Sequence, residues 1–272
     1  FAAFPNAYAT VFSGFYTAFM LLLFALILRA VSIEFRGKRA AAAWRRFWDT
    51  VFFGSSSLAT LLFGVAAGNA LMGIPVSAQG LYTGGFFDLL RPYPILVGLL
   101  TVSLAAVHGA LYLYLKADGE LQQRARRWIW RSYGAALVCY ALTTVFTFAV
   151  VPEAARSLSE HPWSWAVLIL TMLAGANIPL MVRRERPFLG FLSSSCIILG
   201  LVVLFSVSLY PNLVVSSLSP EYNLTIYNAA SSWKTLRNMA VIALIGMPLV
   251  LIYTAAIYWS FRGKVRITEH SY

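Results

Sequence analysis

Seven stretches of the chain contain no charged residue and are dominated by apolar side chains: residues 8–28, 51–72, 93–115, 132–151, 163–182, 188–210 and 238–260. A helix rising about 1.5 Å per residue crosses a hydrocarbon core of about 30 Å in roughly 20 residues, and each stretch is long enough to do so. A transmembrane β-barrel is excluded, because its strands need only about 9–11 alternating residues. The pattern predicts an all-α polytopic transmembrane helical bundle with seven spans, forming one integral-membrane domain over residues 1–272. Amphipathic periodicity is weak along the stretches, as expected where lipid and protein neighbours are both apolar.

The connections carry turn chemistry. The longest, SLYPNLVVSSLSPEYNLTIYNAASSWKTLR from Ser208 to Arg237, holds two prolines and several Asn, Ser and Thr residues. Such backbone is unsuited to a lipid-exposed position at membrane depth. Pro5 precedes the first stretch and Pro187 opens the sixth. Pro94 falls in the first turn of the third, where its missing N–H costs little. Pro248 lies inside the seventh and is expected to bend it. Asn177 and the Ser193–Ser195 run are candidates for hydrogen bonds between helices.

Composition agrees with the pattern. The chain is 60% hydrophobic and 11% charged, with a mean hydropathy of +0.72, against about 25% charged residues in a soluble domain. The net charge of +11 would suggest nucleic acid in a soluble protein; here its distribution has a topological cause, and no nucleic-acid partner is expected. Seventeen cations fall in alternate connections and the tail: Arg29, Arg36, Lys38, Arg39, Arg45 and Arg46; Lys116, Arg124, Arg126, Arg127 and Arg131; Arg183, Arg184 and Arg186; Arg262, Lys264 and Arg266. The other connections hold four, Arg91, Arg156, Lys234 and Arg237. By the positive-inside rule the basic side is cytoplasmic, so the C-terminus is expected inside and Phe1 near the outer face. The sequence begins at Phe1 with no signal-peptide pattern, and the true N-terminus is expected upstream of it. Cys139 and Cys196 both fall in apolar stretches, so no disulfide framework is indicated.

Chemistry-bearing residues are few. No carboxylate lies inside the seven stretches, which argues against a proton relay built from this chain alone. His108 is the one histidine inside a span; His161 falls in an outer connection and His270 in the tail. A lone membrane histidine does not make a bis-His haem site, and His108 is read as a hydrogen-bonded packing residue or a contact to a partner. Arg29, Glu34 and Asp49 stand at the basic ends of the first two spans. Arg29 is expected to snorkel, or to pair with Asp49 or Glu34; Asp49 is expected to cap the second helix, to pair, or to stand at a proton entry. Asn69, in GNALMGIP, is assigned to capping and loop closure with Gly68 and Gly73, or to a packing or partner contact. Trp163, Trp165, Tyr93 and Trp259 read as an aromatic belt. No phosphate-binding glycine loop, nucleophile triad or metal-spaced Cys/His cluster is present, and no cofactor is assigned to this chain. From these residues alone, a secondary transporter and a structural membrane subunit of a larger complex both stay open.

An ordered set of strings narrows this. FPNAYATVFSGFY (4–16), RAVSIEFR (29–36), WDTVFFGS (48–55), GNALMGIP (68–75), HGALYLYLK (108–116), SLYPNLV (208–214), LTIYNAASS (224–232) and ALIGMPLVLIYTAAIYWSFRGKV (243–265) run along nearly the whole chain. Together they resemble subunit II of cytochrome bd-type quinol oxidases. The resemblance implies eight spans in the intact family member, with both ends cytoplasmic; the first has no counterpart here, nor has the Trp-Asp-Gly-Asn-type segment that follows it. It further implies a bacterial cytoplasmic (inner) membrane complex that oxidises quinol and reduces oxygen to water. Haem b and haem d would be held by a haem-bearing subunit I, this chain being the other half of a heterodimer. Small single-span subunits, membrane lipid and a bound quinone or lipid are compatible with that assembly.

Overall fold

The computed structural model describes residues 1–264; Arg266 and His270 lie outside the described residues. The helices are α1 (Pro5–Gly14), α2 (Tyr16–Arg36), α3 (Ala42–Met72), α4 (Pro92–Lys116), α5 (Gly119–Val150), α6 (Pro152–Glu160), α7 (Trp163–Arg183), α8 (Pro187–Leu209) and α9 (Trp233–Ser260). Seven of them, α2 to α5 and α7 to α9, are long and apolar enough to cross a membrane.

The first span differs from the expected 8–28. The helix is interrupted at Phe15, so that α1 stands as a short separate helix and the membrane-length helix starts at Tyr16. A Cβ on Gly14 would lie 3.0 Å from the Tyr82 ring, so the α3–α4 connection packs against the point where α1 meets α2. Other helices overrun the apolar stretches. α5 begins at Gly119 and α3 at Ala42, because Arg, Gln, Glu and Ala sustain a helix well beyond the hydrocarbon edge.

The bundle is centred on α4, which packs against α3, α5 and α8; α2 lies on α3 and α7 on α8. Between α3 and α4 the backbones touch. A Cβ on Gly64 would lie 2.6 Å from Gly98 Cα, and one on Gly68 would lie 2.6 Å from Pro94 Cα. Gly64 and Gly68 form a G-x-x-x-G pair, the arrangement that brings membrane helices close where no hydrophobic drive separates protein from lipid. Gly200 of α8 plays the same part against Thr171 of α7. A second layer of contact joins Val107, Leu111 and Tyr114 of α4 to Ala125 and Ile129 of α5 and to Ile178 and Val182 of α7. The interhelical hydrogen bond expected of Asn177 forms: its Nδ2 donates to Ser193 Oγ at 2.9 Å.

At the end of the bundle opposite the basic connections, loop backbone folds into a cap. β1 (Asn212–Val214) pairs antiparallel with β2 (Leu224–Thr225), and Ile74 bridges to Ser216. Ser216 Oγ donates to Val76 O at 2.8 Å. Beneath the cap, Phe15, Ile74, Val76, Leu89 and Val214 bury one another. Irregular backbone is thereby satisfied inside protein rather than presented to lipid.

α9 stands apart. None of its residues is buried. Its attachments lie at its two ends. Ser231 N donates to Ala3 O at 2.8 Å before the helix. After it, Lys116 Nζ donates to Phe261 O at 2.7 Å and to Gly263 O at 3.0 Å, and Lys264 pairs with Asp118 at 2.6 Å. The helix runs on through Pro248, which removes the N–H that would otherwise meet Leu244 O.

Candidate functional site

Arg29 and Asp49 lie along the seam between α2 and α3, with Glu34 near the end of α2, but the expected pairs do not form. Asp49 is taken by Arg36, whose Nε lies 2.6 Å from Oδ1 and whose Nη2 lies 3.4 Å from Oδ2. Glu34 is taken by Lys38, one turn on, at 2.8 Å, and the carboxylate's hydrogen bond and charge raise the Lys38 pKa. Arg29 instead lies over the Phe52 ring, 5.9 Å from its centroid. Helical pitch explains the difference. Arg29 precedes Arg36 by two turns, about 10 Å along α2, and so falls level with Phe52 rather than with Asp49. Nor does Asp49 cap a helix, since α3 begins seven positions earlier, at Ala42.

The aromatic groups of the seam fix its level. Trp48 is ringed by Phe35, Trp44 and Phe47 at centroid distances of 5.4, 5.6 and 5.2 Å. Trp44 Nε1 donates to Phe35 O at 2.8 Å, which closes the α2–α3 turn. The Arg36–Asp49 pair is half-exposed, with side-chain exposures of 53% and 52%, so water competes for both partners and the pair stabilises little. A double-mutant cycle on yield of folded chain is expected to find measurable coupling between Asp49→Asn and Arg36→Gln, and none between Asp49→Asn and Arg29→Gln. Coupling of residue 49 to residue 29 instead would contradict the geometry.

At the opposite end of α3, Asn69 is fully buried. Its Nδ2 donates to Val65 O at 2.9 Å and to Leu89 O at 2.8 Å. Its Oδ1 accepts from Arg91 Nη2 at 3.4 Å, and the same Nη2 donates to Gly73 O at 2.7 Å. Gly73, at φ +85°, ends the helix with its N–H on Asn69 O. One side chain thus ties the end of α3 to the start of α4. An apolar cavity of about 260 Å³ adjoins it, walled by Phe15 and Phe19 at the α1–α2 break, Ala66 and Ala70 of α3, Phe205 of α8 and Val214 of β1.

His108 points from α4 toward α8. Its Nδ1 lies 2.8 Å from Ser194 Oγ, and that hydroxyl donates to Phe191 O at 2.7 Å. The imidazole and the serine share a hydrogen bond, with the Phe191 ring 4.7 Å away. His161 stands apart, between α6 and α7, its ring 6.5 Å from Trp163 and 6.4 Å from Tyr210. No group of three or more His, Cys, Asp or Glu side chains able to hold a metal occurs among the described residues. Cys139 and Cys196 are free thiols. Ser194, in the run expected to bond between helices, does so with His108; Arg36 and Arg91 were legible only as connection cations, because each acts through a partner the sequence does not mark, while Gly64 and Gly68, four apart in an apolar run, carried a signal that was there to be found.

Residues 1–261 match the family described as cytochrome bd terminal oxidase subunit II. Cytochrome bd-I ubiquinol oxidase subunit 2 of Escherichia coli K12 is 31% identical, over 97% of this chain and 78% of that protein. Cytochrome bd ubiquinol oxidase subunit 2 of Bacillus subtilis 168 is 32% identical, over 99% of this chain and 79% of its own length. Among solved structures, the bd oxidase of Geobacillus thermodenitrificans shares the fold, with a TM-score of 0.67 at 17% identity, covering 90% of this chain and 73% of that one. Bundle, cap and the sequence match across almost the whole length agree: the chain belongs to the cytochrome bd terminal oxidase subunit II family, and is a membrane subunit of a quinol:oxygen oxidoreductase.

Proposed function

We propose that this chain is the structural second subunit of a bacterial inner-membrane quinol oxidase, one integral-membrane unit packing against a haem-bearing subunit I that holds haem b and haem d. The observation that carries this reading is the family match over residues 1–261. The complex oxidises quinol and reduces oxygen to water on the partner's haems, and this chain shapes the partner's surroundings without ligating a haem itself. His108 supports that division of labour, since its Nδ1 is engaged by Ser194. His108 and Asn69 act as packing contacts. Arg29, Glu34 and Asp49 order the ends of α2 and α3. Small single-span subunits and lipid complete the assembly, and the 260 Å³ apolar cavity beside Asn69 offers room for the tail of a quinone or lipid. A transporter is not favoured, because no charged site lies at the membrane midplane.

Purification of the complex in mild detergent tests the reading. Haem absorbance and a second large helical subunit are expected to accompany this chain; a lone colourless chain that moves a solute would sink it.

We further propose that the basic connections face the cytoplasm and the C-terminus lies inside, on the strength of the seventeen-to-four division of cations. In a chain lacking Cys139 and Cys196, single cysteines placed at Lys38, Arg126 and Arg184 are expected to resist an impermeant thiol reagent in intact cells. Those at Gly80, Ser157 and Tyr222 are expected to react. Labelling at position 38 would reverse the orientation.

A further inference from the structure

The seam between α2 and α3 carries more positive charge than its own carboxylates neutralise. Six cations lie between Arg29 and Arg46, and the carboxylates available to them are Glu34 and Asp49. Both are engaged, by Lys38 and Arg36. Among the described residues no carboxylate pairs with Arg29, Arg39, Arg45 or Arg46. All four are exposed.

Their placement is ordered. Positions 45, 49 and 52 recur at one and two turns of α3 and so share a face, opposite Arg29 and Arg36 on α2. Along the seam the order is Arg29 over Phe52, then Arg36 on Asp49, then Arg45. Arg39 is held over the Trp44 ring at 4.8 Å. A guanidinium resting on a ring keeps its N–H edge free for an oxygen anion. Arg29 is the deepest of the set, since it directly follows the uncharged run that ends at Leu28. There it stands two turns short of the paired Arg36, and among the described residues no carboxylate pairs with it. The cluster of Phe35, Trp44, Phe47 and Trp48 sets this region at the headgroup level, where Trp side chains settle.

We propose that the α2–α3 seam is a binding site for the headgroups of anionic phospholipid. Arg29 is the deep contact and Arg45 the outer one, with Arg39 and Arg46 adding attraction at the rim. The geometry favours lipid over a soluble polyanion because the deepest guanidinium lies at the hydrocarbon edge, which a lipid phosphate reaches from its own leaflet. The site rests on the seam alone and not on the oxidase reading, whose failure would appear as missing haem and would leave lipid binding untouched.

The test is native mass spectrometry of the purified complex after exchange with vesicles of phosphatidylglycerol or of phosphatidylcholine. Wild type is expected to retain phosphatidylglycerol selectively, and millimolar inorganic phosphate is not expected to displace it. At about fivefold per arginine removed near an anionic surface, Arg29→Gln and Arg45→Gln are each expected to weaken retention about fivefold, and the double variant about 25-fold. Phosphatidylcholine retention should not change. Arg45→Gln alters an exposed side chain, so it keeps the test open even where Arg29→Gln lowers the yield. Equal retention of the two lipids by wild type, or unchanged phosphatidylglycerol retention in Arg45→Gln and the double variant, would overturn the site. Displacement by inorganic phosphate would reassign it to a free anion.

Discussion

Gly64→Leu is expected to abolish accumulation of the folded chain, whereas Gly54→Leu on the same helix is expected to leave it near wild type. The two glycines share helix, composition and hydrophobic surroundings. They differ in what a side chain would meet. At position 54 nothing lies within 4 Å of an added Cβ; at position 64 the Cβ alone would fall on Thr101 Oγ1 and come within 2.6 Å of Gly98 Cα. Backbone cannot rotate out of the way as a side-chain end can, so α3 and α4 would have to separate. Inserting bulk into a packed interface costs about 1–3 kcal/mol in ordinary cores, and more where main chain must shift. The cost here includes the neighbouring Gly68–Pro94 contact, which opens with it, and lies at or beyond about 3 kcal/mol. Membrane yield and the thermal midpoint of the detergent-solubilised chain give the comparison. Equal behaviour of the two variants would show that the close crossing of α3 on α4 does not hold the bundle.

Asn69→Leu is expected to be the most damaging replacement of similar size. Leucine fills nearly the same volume, so cavity effects are small and the cost is that of lost hydrogen bonds. Leu89 O would lose the Asn69 Nδ2 donor and Arg91 would lose one of its two acceptors, Asn69 Oδ1 and Gly73 O, in a place that is fully buried at Asn69. A buried polar group left unpaired costs about 1–3 kcal/mol, and more for a charged one, so a loss of about 2–4 kcal/mol is expected. Arg91→Leu with Asn69→Leu should cost less than the two singles added, because the partner stranded by one change is removed by the other. Asn69→Asp is not expected to rescue: a carboxylate would satisfy Arg91 but face Val65 O and Leu89 O without protons to give. Strict additivity of the Asn69 and Arg91 variants would show that Asn69 does not link the end of α3 to the start of α4 through the guanidinium.

Both predictions depend on contacts between residues far apart in the chain, and neither partner set was visible in the sequence. The distance between Asn69 and Leu89 is one such case; that between His108 and Ser194 is another. In contrast, the match to the bd oxidase subunit II strings was legible from end to end, because it lay in short runs that survive as text.

What the sequence determined by itself is the number of spans, the membrane environment and the family. Runs of some 20 uncharged residues have one stable solution in a bilayer, a helix with its backbone bonds closed internally, so hydropathy suffices to count them. Tertiary structure decided the rest. Whether Asp49 meets Arg29 or Arg36 depends on the relative height of two helices, and a shift of two turns changes the answer by about 10 Å. The point where α1 meets α2 is packed by Tyr82, contributed by a connection some 70 positions away. In lipid the apolar face of a helix costs the same against a neighbour as against an acyl chain. Helix register and neighbour choice are therefore set by close packing at Gly64, Gly68, Gly98 and Gly200 and by single polar links such as Asn69–Arg91, which hydrophobic patterning does not encode.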